Sequence, residues 1–304
     1  MSLVDLVGDT PLVSIPHPYS KSVSLYAKLE WYNPSGSVKD RAAKAIFLDA
    51  LKKGLLDGKV LLDATSGNTG IAYAMLGASL GVPVSLTLPS NASEERKAIL
   101  ASYGATIHFT SPLEGTDGAQ GEVKNLMEAH PGKYYCPDQY NNENNWKAHF
   151  STTGPEIWSQ TKGDVTHFLA GLGTTGTFVG TSRFLKEKGV TCWSVQPDSP
   201  MHGLEGWKHL ETALVPGIYD ADVADEQTVV STESAFQMAI AASKFLGLHI
   251  SPSAGANLAS SLNLVKNISS GVVVTIFPDN ALKYLREPFW SDHDYLIENP
   301  FRRN

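Results

Sequence analysis

The sequence predicts an α/β fold whose parallel sheets are covered on both faces. Two observations lead there. Short apolar runs that suit buried strands alternate with longer stretches whose apolar residues recur at helical spacing. Several of those strands also run into polar, glycine-rich turns that open the next helix, the place where open parallel sheets bind ligands.

Taken in order, Gly8-Asp9-Thr10-Pro11-Leu12-Val13 is a turn and a short strand, with Asp9 or Thr10 bonding locally to the backbone. Residues 22–31 read as a strand, which Asn33, Pro34 and Gly36 break. Val38, Ala42, Ala45, Leu48, Leu51 and Leu55 then mark the apolar stripe of a helix, with Ser35 or Ser37 as its cap. Residues 59–64 form a buried strand that feeds Thr65-Ser66-Gly67-Asn68-Thr69-Gly70 and a helix over 71–80. A strand at 83–88, a helix at 93–103, a strand at 105–110, a helix around 119–129 and an extended piece at 133–136 follow. Residues 142–160 carry one helical pattern. The strand 165–169 runs into Gly171-Leu172-Gly173-Thr174-Thr175-Gly176-Thr177 and a helix through Lys186, and 192–196 is a further strand. Residues 197–225 are irregular, a loop length that points to function. The chain continues with a helix at 234–246, a loop at 249–257, another helix, and a last buried strand at 272–277.

With 304 residues there is room for two domains or one large α/β unit. The 42% hydrophobic and 18% charged content is ordinary for a globular protein, and a net charge of −7 argues against a general nucleic-acid or anionic-membrane surface. No apolar run approaches the roughly 20 residues of a membrane span. The start, Met1-Ser2-Leu3-Val4-Asp5, lacks the basic and apolar parts of a signal peptide, so a cytoplasmic location is expected. Cys136 and Cys192 form no CxxC pair and the nine histidines form no HExxH, so no metal site is expected and both thiols should be buried.

The chemistry lies in four polar stretches. Lys39 falls in the first turn of a helix, where the positive end of the macrodipole disfavours a cation. It is either a solvated helix-start lysine or an amine poised to attack a carbonyl. The turn at Gly173, Thr174, Thr175, Gly176 and Thr177 offers backbone N–H groups and three hydroxyls at a helix start, a cradle for a dianion, or else a plain tight turn. The uncharged turn at Thr65, Ser66, Asn68 and Thr69 can hold a carboxylate by hydrogen bonds or act only as a cap. Ser253 places a small hydroxyl where a helix opens, as a ligand contact or an N-cap. A carbonyl-reactive lysine, a phosphate cradle, an anion turn and a hydroxyl together suit pyridoxal 5'-phosphate.

These stretches resemble those of the cysteine synthase family of fold-type II pyridoxal-phosphate enzymes over nearly the whole chain. Residues 8–13 are similar to the family's GNTPLV, with Asp9 in place of Asn. Residues 33–41 match its NPSGSVKDR motif and 65–70 its TSGNTG. Residues 173–177 give a GTTGT form of a phosphate loop often written GTGGT, closer to the B-type and O-phosphoserine-using branches. Residues 251–257 depart most, reading SPSAGAN where many members read ISSGA, with Ser253 still at the first serine.

The resemblance implies two three-layer α/β domains with the cofactor in the cleft between them: a smaller mobile domain at 41–142, and a larger one from 1–40 plus 143–304. It implies that Lys39 forms the internal aldimine and removes the Cα proton. Asn68 would meet the 3′-hydroxyl, Gly173, Thr174, Thr175, Gly176 and Thr177 would hold the phosphate, and Ser253 would face the ring nitrogen. Thr65, Ser66, Asn68, Thr69 and Gln139 would grip the substrate α-carboxylate. The implied reaction is β-replacement through an aminoacrylate, giving L-cysteine from O-acetylserine or O-phosphoserine and a sulfur donor: sulfide, thiosulfate, a protein thiocarboxylate or homocysteine. A homodimer is implied as well. Lys208 falls closest to an arginine that serves the substrate phosphate in the phosphoserine-using branch, so it or His209 is a candidate for the anionic leaving group. A cystathionine β-synthase is the near rival. Serine and threonine dehydratases fit less well, since their lysine motif reads SFKxRG. A non-catalytic module that retains the fold is the rival from another class, and the intact Lys39 and glycine turns oppose it.

Overall fold

Runs of Val, Leu and Ile make the strands, and alanine-rich faces let the helices lie close to them. The structure is a computed structural model that describes residues 2–65, 67–291 and 297–302. The strands β1 (Leu12–Ile15) and β2 (Val23–Leu29) precede helix α1 (Lys39–Lys52). Then come β3 (Val60–Ala64), α2 (Asn68–Leu80), β4 (Val84–Pro89), α3 (Glu94–Ser102), β5 (Thr106–Thr110), α4 (Gly115–Ala129) and β6 (Tyr134–Tyr135). After α5 (Asn144–Ser151) and α6 (Thr153–Gln160) follow β7 (His167–Gly171), α7 (Gly176–Lys186), β8 (Thr191–Pro197) and β9 (Glu226–Val230). The helices α8 (Thr232–Leu246) and α9 (Pro252–Asn267) lead to β10 (Gly271–Phe277). No described helix is long and apolar enough to cross a membrane.

The chain divides into two units, Met1–Val7 with Asn33–Asn145, and Gly8–Tyr32 with Trp146–Asn304. The first holds a four-stranded parallel sheet, β5-β4-β3-β6. Strand β3 alternates its faces: Leu61 joins the core under α1 and α2, while Leu62 and Ala64 pack with Ala119 and Val123 of α4. The second unit holds a six-stranded sheet, β1-β2-β10-β7-β8-β9, parallel except for β1, which pairs antiparallel with β2 at the edge. In β7, Leu169 belongs to the core beneath α8 and α9, and its neighbour Phe168 stacks on Phe178 of α7. Both sheets are thus covered on both faces, as the alternation of strands and helices predicts.

Five local expectations are corrected. The buried face of α1 is Ala42, Ala43, Ile46, Phe47 and Ala50, whereas Leu48 and Leu55 are exposed. Small alanines, not the leucines, let α1 settle against α2. The single helix expected over 142–160 is two, because Ser151 and Thr152 turn their hydroxyls onto the carbonyls of Lys147 and Ala148, at 2.8 and 2.6 Å, and Thr152 leaves helical geometry. Strand β9 lies where no strand is expected, since an edge strand with Val229 exposed and only Val230 buried carries little apolar signal. Helix α9 starts at Pro252, inside the expected loop, because proline at the first helical position has no N–H to leave unpaired. Cys192 is buried, and Cys136 is only partly so.

Candidate active site

In the first unit, the chain reaches Lys39 through a tight loop. The carbonyl of Asn33 accepts the N–H of Gly36 at 2.8 Å, and Gly36 sits at φ +85, where a side chain would strain the backbone. The expected serine cap takes another form. Val38 occupies the cap position in helical geometry, and no side chain caps the helix there. The hydroxyl of buried Ser37 instead accepts the N–H of Lys39 at 3.2 Å. The carboxylate of Asp40 accepts both the N–H of Ser35, at 2.7 Å, and the Ser35 hydroxyl, so an acid in the first turn ties the loop down. Lys39 is thereby the first residue of α1 on a loop fixed from both sides.

Strand β3 delivers the chain to the second stretch. Asn68 opens α2, behind Gly67 in extended geometry and with no side-chain cap, which leaves backbone donors at the helix start for a ligand. Thr65 stays on the sheet, its N–H donating to Thr87 O at 3.1 Å, and its Oγ1 accepts the N–H of Gly67 at 3.4 Å. Gly70 admits no larger residue without movement, because an added Cβ would stand 3.0 Å from the carbonyl oxygen of Thr65. Ser66 lies outside the described residues. Gln139, from the segment after β6, joins this turn: Thr69 donates its hydroxyl to Gln139 Oε1 at 2.8 Å, and Asn145 donates to the Gln139 carbonyl at 2.7 Å. The structure therefore brings Thr69 and Gln139 together across 70 positions of sequence.

Behind that pair stands a residue that the strand pattern hides. Asp63 is buried in β3, its Oδ1 accepts the N–H of Ala64 at 2.8 Å, and Gln139 donates Nε2 to Oδ2 at 3.5 Å. Burial pushes its carboxyl up to about 7, against the Ala64 hydrogen bond and aided by the charge of Asp138. An acid inside an otherwise apolar strand is the signal that would have found it.

In the second unit, β7 runs into the glycine and threonine turn that opens α7. Thr175 takes the left-handed conformation at φ +71 in the cap position, again with no side-chain cap, and its buried hydroxyl has no hydrogen-bond partner among the described residues. A strap at residues 204–208 lies over this turn. Lys208 donates its N–H to Leu172 O at 2.8 Å, a Cβ on Gly173 would stand 2.3 Å from the carbonyl oxygen of Gly206, and one on Gly171 would stand 2.0 Å from the Trp207 ring. Glycine is required at both positions by this close approach.

Ser253 belongs to the same group. The N-cap of α9 is Ser251, whose hydroxyl accepts the N–H of Ala254 at 3.2 Å, so Ser253 is not the cap. Its Oγ instead donates to the carbonyl of Glu205 on the strap, at 3.5 Å, beside a cavity of about 420 Å³ lined in part by Gly206, Trp207 and Ser253. Beneath the turn, buried His149 bridges Thr153 Oγ1 at 2.8 Å and Thr177 Oγ1 at 3.3 Å. Neither His149 nor the ring of Trp207 is signalled by spacing, since the contacts join distant segments. His209 turns to Thr212, with Nδ1 at 3.0 Å from its hydroxyl.

The fold is α/β, with a lysine at the start of α1 and no side-chain cap at the starts of α2 and α7. The family model described as "Pyridoxal-phosphate dependent enzyme" matches residues 3–279. The chain is 50% identical to the cysteine synthase of Aquifex aeolicus (strain VF5), covering 96% of this chain and 93% of that one. It is 39% identical to cysteine synthase B of Escherichia coli (strain K12), over 93% of this chain and 94% of the other. Its structure is similar to the crystal structure of the cysteine synthase (OASS) of Entamoeba histolytica, with a TM-score of 0.92 at 33% identity, covering 97% of this chain and 91% of that one. The chain belongs to the cysteine synthase family of pyridoxal-phosphate dependent enzymes.

Proposed function

We propose that the protein makes L-cysteine by β-replacement, exchanging the β-substituent of an activated serine for a sulfur nucleophile. O-acetylserine with sulfide is the pair that the relatives support best. The observation that carries the reading is the Lys39 motif, set at the first turn of α1, in the same chain as an α7 start fitted to a phosphate. That start fits because Thr175 keeps a buried hydroxyl without a partner among the described residues, at a helix N-terminus with no side-chain cap.

In this reading Lys39, Asn68, Gly173, Thr174, Thr175, Gly176, Thr177 and Ser253 hold pyridoxal 5'-phosphate. The cofactor, when bound, supplies a sink for the electrons left at the substrate's Cα. Lys39 Nζ takes the Cα proton from its place in the first turn of α1. Ser253 offers the ring nitrogen a neutral hydroxyl and not a carboxylate, so it does not hold a proton there and favours prompt loss of the β-substituent. The backbone donors of α2, with Thr65, Ser66, Asn68, Thr69 and Gln139, bind and orient the α-carboxylate. Lys208, anchored beside the phosphate turn through Leu172, is the residue we assign to an anionic leaving group. A homodimer in the cytoplasm is part of this reading, and the exposed Leu48 of α1 and Leu55 just beyond it offer apolar surface for a second copy.

Steady-state assays of O-acetylserine and O-phosphoserine, each with sulfide, thiosulfate and homocysteine, test the reading. Cysteine formation from a serine ester is expected, together with visible absorbance from the bound cofactor. A protein that stays colourless after the cofactor is added, or that turns over only with homocysteine, contradicts it. In Lys208→Ala the ratio of kcat/KM for the two esters should shift several-fold, and an unchanged ratio removes Lys208 from the site.

A further inference from the structure

Three side chains in the first unit form a chain of donors and acceptors that ends in a buried acid. Thr69 gives its hydroxyl proton to Gln139 Oε1, and Gln139 gives an Nε2 proton to Asp63 Oδ2. Among the described residues no lysine or arginine pairs with Asp63. The titratable groups facing it are Tyr73 from α2, together with Cys136, Asp138 and Tyr140 from the segment after β6. Burial and the Asp63 charge both raise the proton affinities of Tyr73, Cys136 and Tyr140, so none of these supplies a compensating cation. The partner of Asp63 on β4 is Leu86, and Asp63 shares with Leu61 the face of β3 that packs under α1 and α2.

The polarity of this chain follows the charge on Asp63. With Asp63 ionised, both ends of the Gln139 amide are committed, and the Thr69 proton points at Gln139. With Asp63 protonated, the acid donates to Oε1, the amide turns over, and Nε2 donates to Thr69 Oγ1. The Thr69 proton is then available at the α2 turn. A carboxylate bound there gains a donor and loses a buried like charge behind it.

We propose that Asp63 is a positioning residue for substrate binding: it takes up one proton from water as the substrate α-carboxylate binds, and through Gln139 it turns the Thr69 hydroxyl toward that carboxylate. The inference rests on the reading of Gln139 and Thr69 as carboxylate ligands. In the holoenzyme, KM for O-acetylserine should rise roughly tenfold between about pH 6 and about pH 8, with less change in kcat. Asp63→Asn should flatten that rise, and so should Gln139→Ala, which raises KM at every pH. Comparing wild type with Gln139→Ala keeps the test alive if Asp63→Asn does not fold. Asp63→Asn that keeps the wild-type pH profile, or a wild-type KM that is flat across this range, overturns the inference alone. Gln139→Ala that leaves KM unchanged at every pH overturns the reading of Gln139 as a substrate ligand, and the inference with it.

Discussion

The helix N-termini of α7 and α2 both lack a side-chain cap, and they are backed differently. The α7 start is rigidly built. Gly171 and Gly173 let the 204–208 strap press on it, Thr175 holds a left-handed turn, and His149 braces Thr177 from below. The α2 start is backed by an amide and a buried carboxylic acid whose hydrogen bonds can run in either direction. In the proposed function the first holds a group that stays through every turnover, and the second holds one that arrives and leaves. A resident dianion is served by fixed donors; a transient carboxylate is served by donors that can be reset.

The largest effect that should separate the two turns comes from Gly173→Ala. Its new Cβ would stand 2.3 Å from the carbonyl oxygen of Gly206, so the strap must lift off the turn. Cofactor affinity, measured by titrating visible absorbance, should fall by about 100-fold, near 3 kcal/mol. Retained affinity would show that the α7 turn does not carry the phosphate. Thr69→Val should act on the other turn alone, raising KM for the serine ester about tenfold while cofactor affinity holds. Equal loss of both would collapse the distinction between the turns.

A smaller effect concerns stability. Asp63 titrates at about 7 when folded, above the 3.8 of an ordinary aspartate. Between these values the folded state keeps a proton that the unfolded state releases, so this group's contribution to stability falls as pH rises through that window. Relative to wild type, Asp63→Asn should therefore gain on the order of a few kcal/mol as pH goes from about 4 to above 7, read from paired unfolding curves. A constant difference across the window would mean that Asp63 is not the buried acid described.

What was legible in the sequence was local. Three of the four polar stretches, those at Lys39 and at residues 65–69 and 173–177, announce themselves because a strand, a glycine or two and a hydroxyl-rich helix start lie within a few residues of one another, and such short-range chemistry survives any tertiary context. The apolar alternation likewise gave the parallel sheets. Propensity failed where burial and exposure were set by partners far away. Leu48 and Leu55 read as core but are exposed, Leu48 because α2 takes the alanine face of α1 and Leu55 because it lies past the end of that helix. Strand β9 is held by pairing with β8, not by its own apolar content. The link from Asp63 to Gln139 spans 76 positions, and the Trp207 ring reaches Gly171 only because the strap folds back. Ser253 carries the same lesson in reverse: with Ser251 as the cap, its hydroxyl reaches the Glu205 carbonyl, a contact that the motif alone does not disclose.

The most direct test of the account is Lys39→Ala in the enzyme supplied with pyridoxal 5'-phosphate, followed by cysteine formation, visible absorbance and circular dichroism. The expected result is a far-ultraviolet spectrum like that of the wild type, loss of the visible absorbance characteristic of the lysine-bound cofactor, and turnover reduced by about 10³-fold or more. Turnover within tenfold of wild type would contradict the assignment of Lys39, and with it the proposed chemistry.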